Sequence, residues 1–468
     1  MNQHLNQPSA AYRWTILGFV SLAMFGNYYV YDCISPLADL LVKQLNFTDK
    51  DIGTLNAIYS FPNILMVLIG GIIIDRLGTR KSTFLFSLLC MTGAVITSLS
   101  SQLVFMAAGR LIFGLGAESL IVAITTVIAN WFKGKELSFA FGLNLTIARL
   151  GSFTALNSPT WARSLYETWQ GPLFISVITA LVSVVAVLIY YMLDYQTAKK
   201  FSMTREKPAD KIDFNSIFKF NASFWLISLL CVTFYSGIFP FQTFAVKFFI
   251  ERHFAGIPGD MARSMGGFLS SLLILAAMIL TPLFGLLADK IGKRATLMMA
   301  ASIMLIPVYL ILNYVVLNPI IAPEMLSGAD LVTTESVSFF ASIWSGLLYF
   351  FNMIRILIIY FPNLVLPMAL MGLSFSLIPA VMWPSVAYIV EESRLGTAYG
   401  LMTMIQNIGL FGFNLLIGWA NDFSGDYTLG MWIFSTLGFF GLLFAWLLRR
   451  RETGIHGHGL EMRIVPQQ

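Results

Sequence analysis

Long apolar blocks alternate along this chain with short polar stretches, and most blocks reach the roughly 20 residues that a helix needs to cross about 30 Å of hydrocarbon. Twelve are readable, at about 14–38, 52–74, 82–101, 104–131, 136–158, 171–194, 220–250, 264–288, 295–317, 364–390, 396–420 and 427–449. The pattern predicts an all-α polytopic membrane protein. The first block is too long, and its start too weakly basic, for a cleaved signal peptide. It is expected to stay as the first helix.

A repeat organises these blocks. Gly71-Ile-Ile-Ile-Asp75-Arg76-Leu-Gly78-Thr-Arg80-Lys81 returns as Gly285-Leu-Leu-Ala-Asp289-Lys290-Ile-Gly292-Lys293-Arg294, 214 residues later, each copy closing an apolar block. Duplication at half-chain spacing predicts two pseudo-symmetric six-helix bundles, each with a charged loop at the same place. Gly78 and Gly292 are suited to a tight turn with positive φ, and Gly71 and Gly285 to close helix approach. Asp75 and Asp289 are placed to face a helix N-terminus of the opposite half, near Gly396 and Glu136, whose partial positive charge favours a carboxylate. The alternative is a solvated loop that only fixes topology.

The predicted organisation is an N-terminal bundle at 1–195, a basic linker at 196–219 with a short amphipathic helix near 213–218, a C-terminal bundle at 220–455 and a tail at 456–468. The halves are not equal in length. Residues 132–142 match 392–400 at an offset of 258, so about 44 extra residues fall between the ninth and tenth spans, at about 318–361. They comprise an acidic stretch (Glu324, Asp330, Glu335) and an apolar one interrupted by Arg355. A full crossing there would place Arg394 and the Arg449–Arg451 run on the wrong side. The insertion is therefore expected at the outer surface or as an incomplete hairpin.

Charge supplies the orientation. Of 29 Lys and Arg, 20 lie at the N-terminus, in the repeated loops, at Lys133 and Lys135, in the linker, at Arg394 and in the tail. Lys and Arg gather on the cytoplasmic side, which predicts that both termini are cytoplasmic. Only 11% of residues are charged, 57% are hydrophobic, and mean hydropathy is +0.76. The net charge of +5 is dispersed over helix ends and gives no support to a nucleic-acid partner. Cys33, Cys90 and Cys231 lie in apolar spans, so no disulfide is expected. His456 and His458 alone do not make a metal site, and neither a metal nor a cofactor is expected.

Ionisable residues inside a bilayer are costly and mark function by default. Glu118 in the fourth span and Arg149 in the fifth fall at one depth, each about 20 Å along its helix. They form either a buried structural ion pair or a clamp for a zwitterion, with Glu118 receiving an ammonium and Arg149 a carboxylate, which its planar fork pairs bidentately. Arg110, two turns from Glu118, is matched in depth by Asp32, a pairing better suited to structure or gating than to ligand contact. Asn27, Tyr28, Tyr59, Asn63, Tyr235, Trp383, Gln406 and Asn407 can line a cavity or serve as helix-packing glue. Pro36, Pro62, Pro240, Pro282 and Pro384 mark bends.

The loop spacing G-x-x-x-D-R/K-x-G-x-R/K resembles the signature of the major facilitator superfamily. The run Gly109-Arg110-Leu-Ile-Phe-Gly114-Leu-Gly116 resembles that family's fourth-helix signature. The resemblance implies a fold of twelve transmembrane helices in two six-helix bundles. Gating or structural roles then fall to Asp75, Arg76, Arg80, Asp289, Lys290 and Arg294. More specific blocks resemble the lysosomal dipeptide uniporter branch: Phe25-Gly-Asn-Tyr28 with Asp32, Leu55 to Asn63, Gly116-Ala-Glu118-Ser-Leu120, Trp131-Phe-Lys-Gly-Lys-Glu-Leu137, Ala148-Arg149-Leu-Gly-Ser152, Phe239-Pro-Phe241, Pro282-Leu-Phe-Gly-Leu-Leu287, Trp383-Pro384, and Leu395-Gly-Thr-Ala-Tyr-Gly400 with Ile405-Gln-Asn-Ile-Gly409. That resemblance implies that Glu118 and Arg149 clamp the two peptide termini.

A monomeric, alternating-access carrier of dipeptides or similar small zwitterions is thus expected, working as a uniporter in the lipid bilayer. The dileucine address of lysosomal members is absent, which favours a prokaryotic inner membrane, and nothing here requires an accessory subunit. Proton coupling is an alternative, although the first span lacks the Glu-x-x-Glu-Arg cluster common in proton-coupled peptide carriers. Polyspecific efflux of lipophilic cations is another, opposed by Arg149 at mid-depth and by the missing Gly-Pro-rich fifth-helix signature. A non-transporting receptor of transporter fold is opposed by the intact loops, and an enzyme by the lack of a nucleophile–base pairing or metal cluster.

Overall fold

The computed structural model describes residues 9–132, 136–200, 220–317, 339–391, 394–455 and 457–462. All regular structure among the described residues is helical. The first half contains α1 (Ala10–Asp32), α2 (Ala38–Leu45), α3 (Asp49–Leu99), α4 (Leu103–Phe132), α5 (Leu137–Leu156), the single turn α6 (Ser158–Trp161) and α7 (Gln170–Lys200). The second contains α8 (Ala222–Arg252), α9 (Gly259–Ile291), α10 (Arg294–Tyr314), α11 (Phe339–Tyr360), α12 (Pro362–Ile389), α13 (Leu395–Ser424) and α14 (Thr428–Glu452). Two spans merge in the 51-residue α3, which reverses at Gly78. With α1, α4, α5 and α7, and with α8, α9, α10, α12, α13 and α14, this gives the twelve crossings of two six-helix bundles.

Local chemistry sets the ends of these helices. Ser9 accepts the Tyr12 N–H at the start of α1, and Asn221 accepts the Phe224 N–H at the start of α8. Thr48 and Asp51 form a reciprocal capping box on α3, satisfying donors that a helix start leaves unpaired. The repeated loops turn as expected: Gly78 has φ 76° and Gly292 φ 70°. The first span is shorter than its apolarity suggests. Helix α1 ends at Asp32, and the chain continues through a 3-10 turn at Ser35–Leu37 into α2.

The bundles repeat one packing plan. Helix α1 packs on α5 and α7, and α8 packs equivalently on α13 and α14. The halves meet along two seams, α3 with α13 and α5 with α9. The face carrying the start of α1, the end of α14 and the Gly78 and Gly292 turns is the terminal face, and the opposite one is the distal face. Helix α11 is additional. Its Met353, Ile356 and Leu357 are buried on one side while Phe351, Ile358 and Ile359 are exposed. Phe350 meets Phe268 at 5.3 Å between ring centroids, about 14 Å along α9 from its distal end. Helix α11 packs on α12 and touches α9 through that ring contact. The acidic part of the insertion and the expected linker helix lie outside the described residues.

Candidate functional site

Glu118 is the sixteenth residue of the 30-residue α4, and Arg149 the thirteenth of the 20-residue α5. Both are near mid-depth of their helices and both are partly accessible. They do not pair with each other: no ion pair within 4 Å joins them. Among the described residues, Glu118 has no hydrogen-bond or ion-pair partner on the chain. Arg149 instead donates across the α5–α9 seam to the Ala277 carbonyl and, at 3.3 Å, to the Thr281 hydroxyl. Tyr28 of α1 stands where its hydroxyl interacts electrostatically with Glu118, Arg149 and Asp32.

The second half supplies the facing wall. Tyr235 interacts electrostatically with Arg149 and accepts a hydrogen bond from the Trp383 indole at 3.0 Å. Its ring stacks on Phe239 at 5.6 Å, and the Tyr399 hydroxyl donates to the Trp383 carbonyl at 3.2 Å. Gln406 is partly accessible and lies 3.6 Å from the Cys231 sulfur. The wall is therefore aromatic and amphipathic, opposite one free carboxylate and one guanidinium.

Other expected lining residues sit elsewhere. Asn63 is fully buried and donates to the Tyr59 carbonyl, so it serves helix packing. Asn27 donates to the Ala117 carbonyl, and Asn407 to the Thr403 carbonyl. Tyr59 is buried beneath Arg110, stacked on Phe113. Arg110 forms no ion pair with Asp32. It is only 1% exposed, and its guanidinium donates to the carbonyls of Leu55, Val30 and Tyr31 and to Asn56 Oδ1 at 2.7 Å. The rings of Tyr31, Tyr59 and Phe113 surround it. Carbonyl dipoles and ring faces make its direct contacts, and Asp32 acts on it only at longer range. Asp32 accepts from the Ser152 hydroxyl of α5.

The distal face is sealed by contacts that sequence reasoning missed. Arg263 of α9 grips Asp39 of α2 with two bonds of 2.9 and 2.7 Å. Lys247 of α8 binds Asp49 of α3 at 2.8 Å, Tyr427 at 2.9 Å and Glu251 at 3.1 Å, and Asn421 donates to Asp49. Asp422, near the end of α13, accepts the Asp49 and Lys50 N–H groups at 2.9 Å each. A carboxylate from one half thus satisfies the helix N-terminus of the other. Ser35 donates to the Gln242 carbonyl, Asn56 to Thr243, Ser264 to the Pro159 carbonyl, and Arg163 pairs with Asp260. The only sequence signal was Lys247 inside an apolar span with Glu251 one turn away.

At the terminal face, none of the ion pairs and side-chain hydrogen bonds resolved among the described residues joins the halves. Asp75 and Arg76 are exposed. Arg80 binds Asp194 of its own half at 3.1 Å. Asp289 pairs with Arg294 of its own loop at 2.6 Å, Arg294 lies over Tyr388, and Lys290 is exposed. Glu136 pairs with Arg13 of the same half. A Cβ at Gly71, Gly285 or Gly396 would meet open space. The expected cross-half contacts of these loops, and the close approach at Gly71 and Gly285, are therefore not made here. The halves are thus joined by polar contacts distally, while among the described residues their charged loops are not joined on the terminal side.

Comparison with known proteins agrees with this architecture. The family model described as Major Facilitator Superfamily matches residues 20–323. The lysosomal dipeptide transporter MFSD1 of Danio rerio is 31% identical over 439 residues, covering 91% of this chain and 84% of that protein. The protein of the same name from Homo sapiens is 29% identical over 459 residues, covering 95% and 88%. Among solved structures, the crystal structure of the nucleoside transporter NupG aligns with a TM-score of 0.68 at 13% identity, covering 94% of this chain and 99% of that one.

Proposed function

The chain belongs to the Major Facilitator Superfamily of membrane transporters, and on that premise we propose that it carries dipeptides or similar small zwitterions by alternating access, as a uniporter. Glu118 receives the substrate's ammonium group, Arg149 its carboxylate, and Tyr28, Tyr235, Trp383 and Gln406 line the space between. The observation that carries this reading is that Glu118 and Arg149 share a depth yet leave each other unpaired. An isolated carboxylate within the bilayer is expensive, and a ligand cation is the partner that would offset the cost. The relatives named as dipeptide transporters support the substrate class.

Lys and Arg enrichment at the terminal face supports its assignment to the cytoplasm. The sealed distal side then makes this the inward-facing state. Blocking either end of a dipeptide removes one of the two charges the clamp reads. In a thermal-shift measurement on purified protein, free dipeptides should raise the melting temperature more than their N-acetyl or C-amide forms, because ligands of the native state stabilise it. Free amino acids, whose charges are too close together, should also be weaker. Equal stabilisation by blocked and free dipeptides, or stabilisation only by lipophilic cations, would replace this reading with an efflux-type pocket.

A further inference from the structure

The two intramembrane arginines of the first half are held in contrasting ways. Arg110 has four acceptors and three surrounding rings, all on its own half. Four of its five N–H donors are thereby engaged within one half, so the group is fixed there. Arg149 has two neutral acceptors, the Ala277 carbonyl and the Thr281 hydroxyl, both on the opposite half. The next residue, Pro282, lacks an N–H, so the Met278 carbonyl has no i+4 donor and the α9 ladder is interrupted there.

We propose that the Ala277 carbonyl and Thr281 hydroxyl are a resting station for the Arg149 guanidinium, from which the carboxylate end of the substrate must take it. Thr281 is then a positioning residue that acts through Arg149. This inference rests on the dipeptide reading above and adds an order to its steps. With no ligand, the station keeps a guanidinium satisfied in a region where bare charge is costly. Its acceptors are neutral, so a carboxylate, whose charge-assisted bidentate bonds are roughly twice as strong, displaces them. Glu118 needs no such exchange and anchors the ammonium end first.

The exchange has a mechanical consequence. Arg149 bridges α5 and α9 at mid-depth, on the seam that Ser264 and Pro159 close distally. Removal of Arg149 by a carboxylate releases that bridge, whereas occupation of Glu118 by an amine leaves it intact. A C-amidated dipeptide should therefore bind weakly at Glu118 without loosening the seam.

The test compares Ala-Ala with its C-amide on the full-length carrier, using Thr281→Val, which keeps side-chain shape, and Thr281→Ser, which keeps the hydroxyl. Loss of one hydrogen bond from the station should tighten Ala-Ala binding about two- to tenfold, leave the affinity for the C-amide unchanged, and return to normal in Thr281→Ser. A second readout needs no ligand. Maleimide labelling of Ser264→Cys, in a background with Cys33, Cys90 and Cys231 replaced, should be faster in empty Thr281→Val than in the parent. Thr281→Ala substitutes for Thr281→Val if that variant fails to fold.

An unchanged ratio of Ala-Ala to C-amide affinity in Thr281→Val overturns the proposal. So does weaker binding of Ala-Ala, which would mean that Thr281 presents Arg149 to the ligand rather than competing for it. If the parent itself does not distinguish Ala-Ala from its C-amide, the dipeptide clamp fails, and the labelling comparison still decides whether Thr281 holds the seam.

Discussion

Gly418→Ala should bias this carrier toward its distally open state. Gly418 lies on α13 where that helix crosses the start of α3. A Cβ there would stand 2.5 Å from the Asp49 carbonyl oxygen and 2.8 Å from the Lys50 Cα, both backbone atoms of the other half. Ordinary contact begins near 3.5 Å, so the halves must separate by roughly 1 Å. The same movement stretches the Asp422 bonds to the Asp49 and Lys50 N–H groups. Overpacking of this kind costs about 1–3 kcal/mol, and it falls only on the state in which this seam is shut. At about 1.4 kcal/mol per decade, the distally open population rises about five- to 150-fold. The intrinsic preference of a helix for Ala over Gly is common to both states and cancels. Gly412→Ala, on the same helix with open space at its Cβ, controls for that preference. Maleimide labelling of Ser264→Cys should accelerate in Gly418→Ala and stay at the parental rate in Gly412→Ala. Parental labelling in a Gly418→Ala protein with normal melting would refute the assignment of this crossing as a state-specific contact.

Glu118→Gln and Arg149→Lys should each fold and insert yet lose most dipeptide binding, by about 2–5 kcal/mol for a desolvated charged contact, measured by ligand-induced thermal shift. Asp75→Asn and Asp289→Asn should slow transport several-fold with binding retained, read by uptake into vesicles. His253, just beyond α8 at the distal end, is buried against the Leu312 carbonyl, and burial lowers its pKa to about 4. Its unfolded value is higher, so its contribution to stability is present above about pH 6.5 and is lost as pH falls toward 4. Between pH 7 and 5 the loss is about 2 kcal/mol. His253→Gln should flatten the melting temperature over that interval, and an unchanged slope would show that another group is responsible.

The fold was legible because lipid demands continuous apolarity and because the loops are written twice. Hydropathy located the crossings, and the duplicated Gly78 and Gly292 located the turns with the right sign of φ. Hydropathy failed where apolar sequence bends without turning polar, as between Asp32 and Leu45. Arg110 and Arg149 show the limit for sites. Both are arginines in apolar spans at plausible depth, and only the arrangement of acceptors separates an arginine bonded four times within its own half from one held by two groups of the other half. Thr281 was invisible because its partner is 132 residues away. Asp49 and Lys247, 198 residues apart, look in sequence like a loop charge and an isolated lysine. Asn63 and Asn407 were left undecided in sequence, because one amide gives no indication whether it faces a cavity or bonds back to its own helix.

The distal seam is built from the interactions that best suit a reversible gate. Two buried ion pairs, Asp39 with Arg263 and Asp49 with Lys247, replace what could have been an apolar interface. The desolvation of such pairs nearly offsets their attraction, so they add little net stability to the closed state. Their geometry is nonetheless exacting, and each must be made in register or not at all. On opening, both partners regain water, and the penalty of separating them is far smaller than for separating packed apolar surfaces of the same area. The terminal face carries the complementary arrangement. Asp75 is exposed there, and among the described residues Asp289 is engaged within its own loop. If these loops form the seam of the other state, the two states are held by polar contacts of similar modest strength. On the proposed clamp, a substrate that engages Glu118 and Arg149 more tightly in one state than in the other then has only modest polar contacts to overcome.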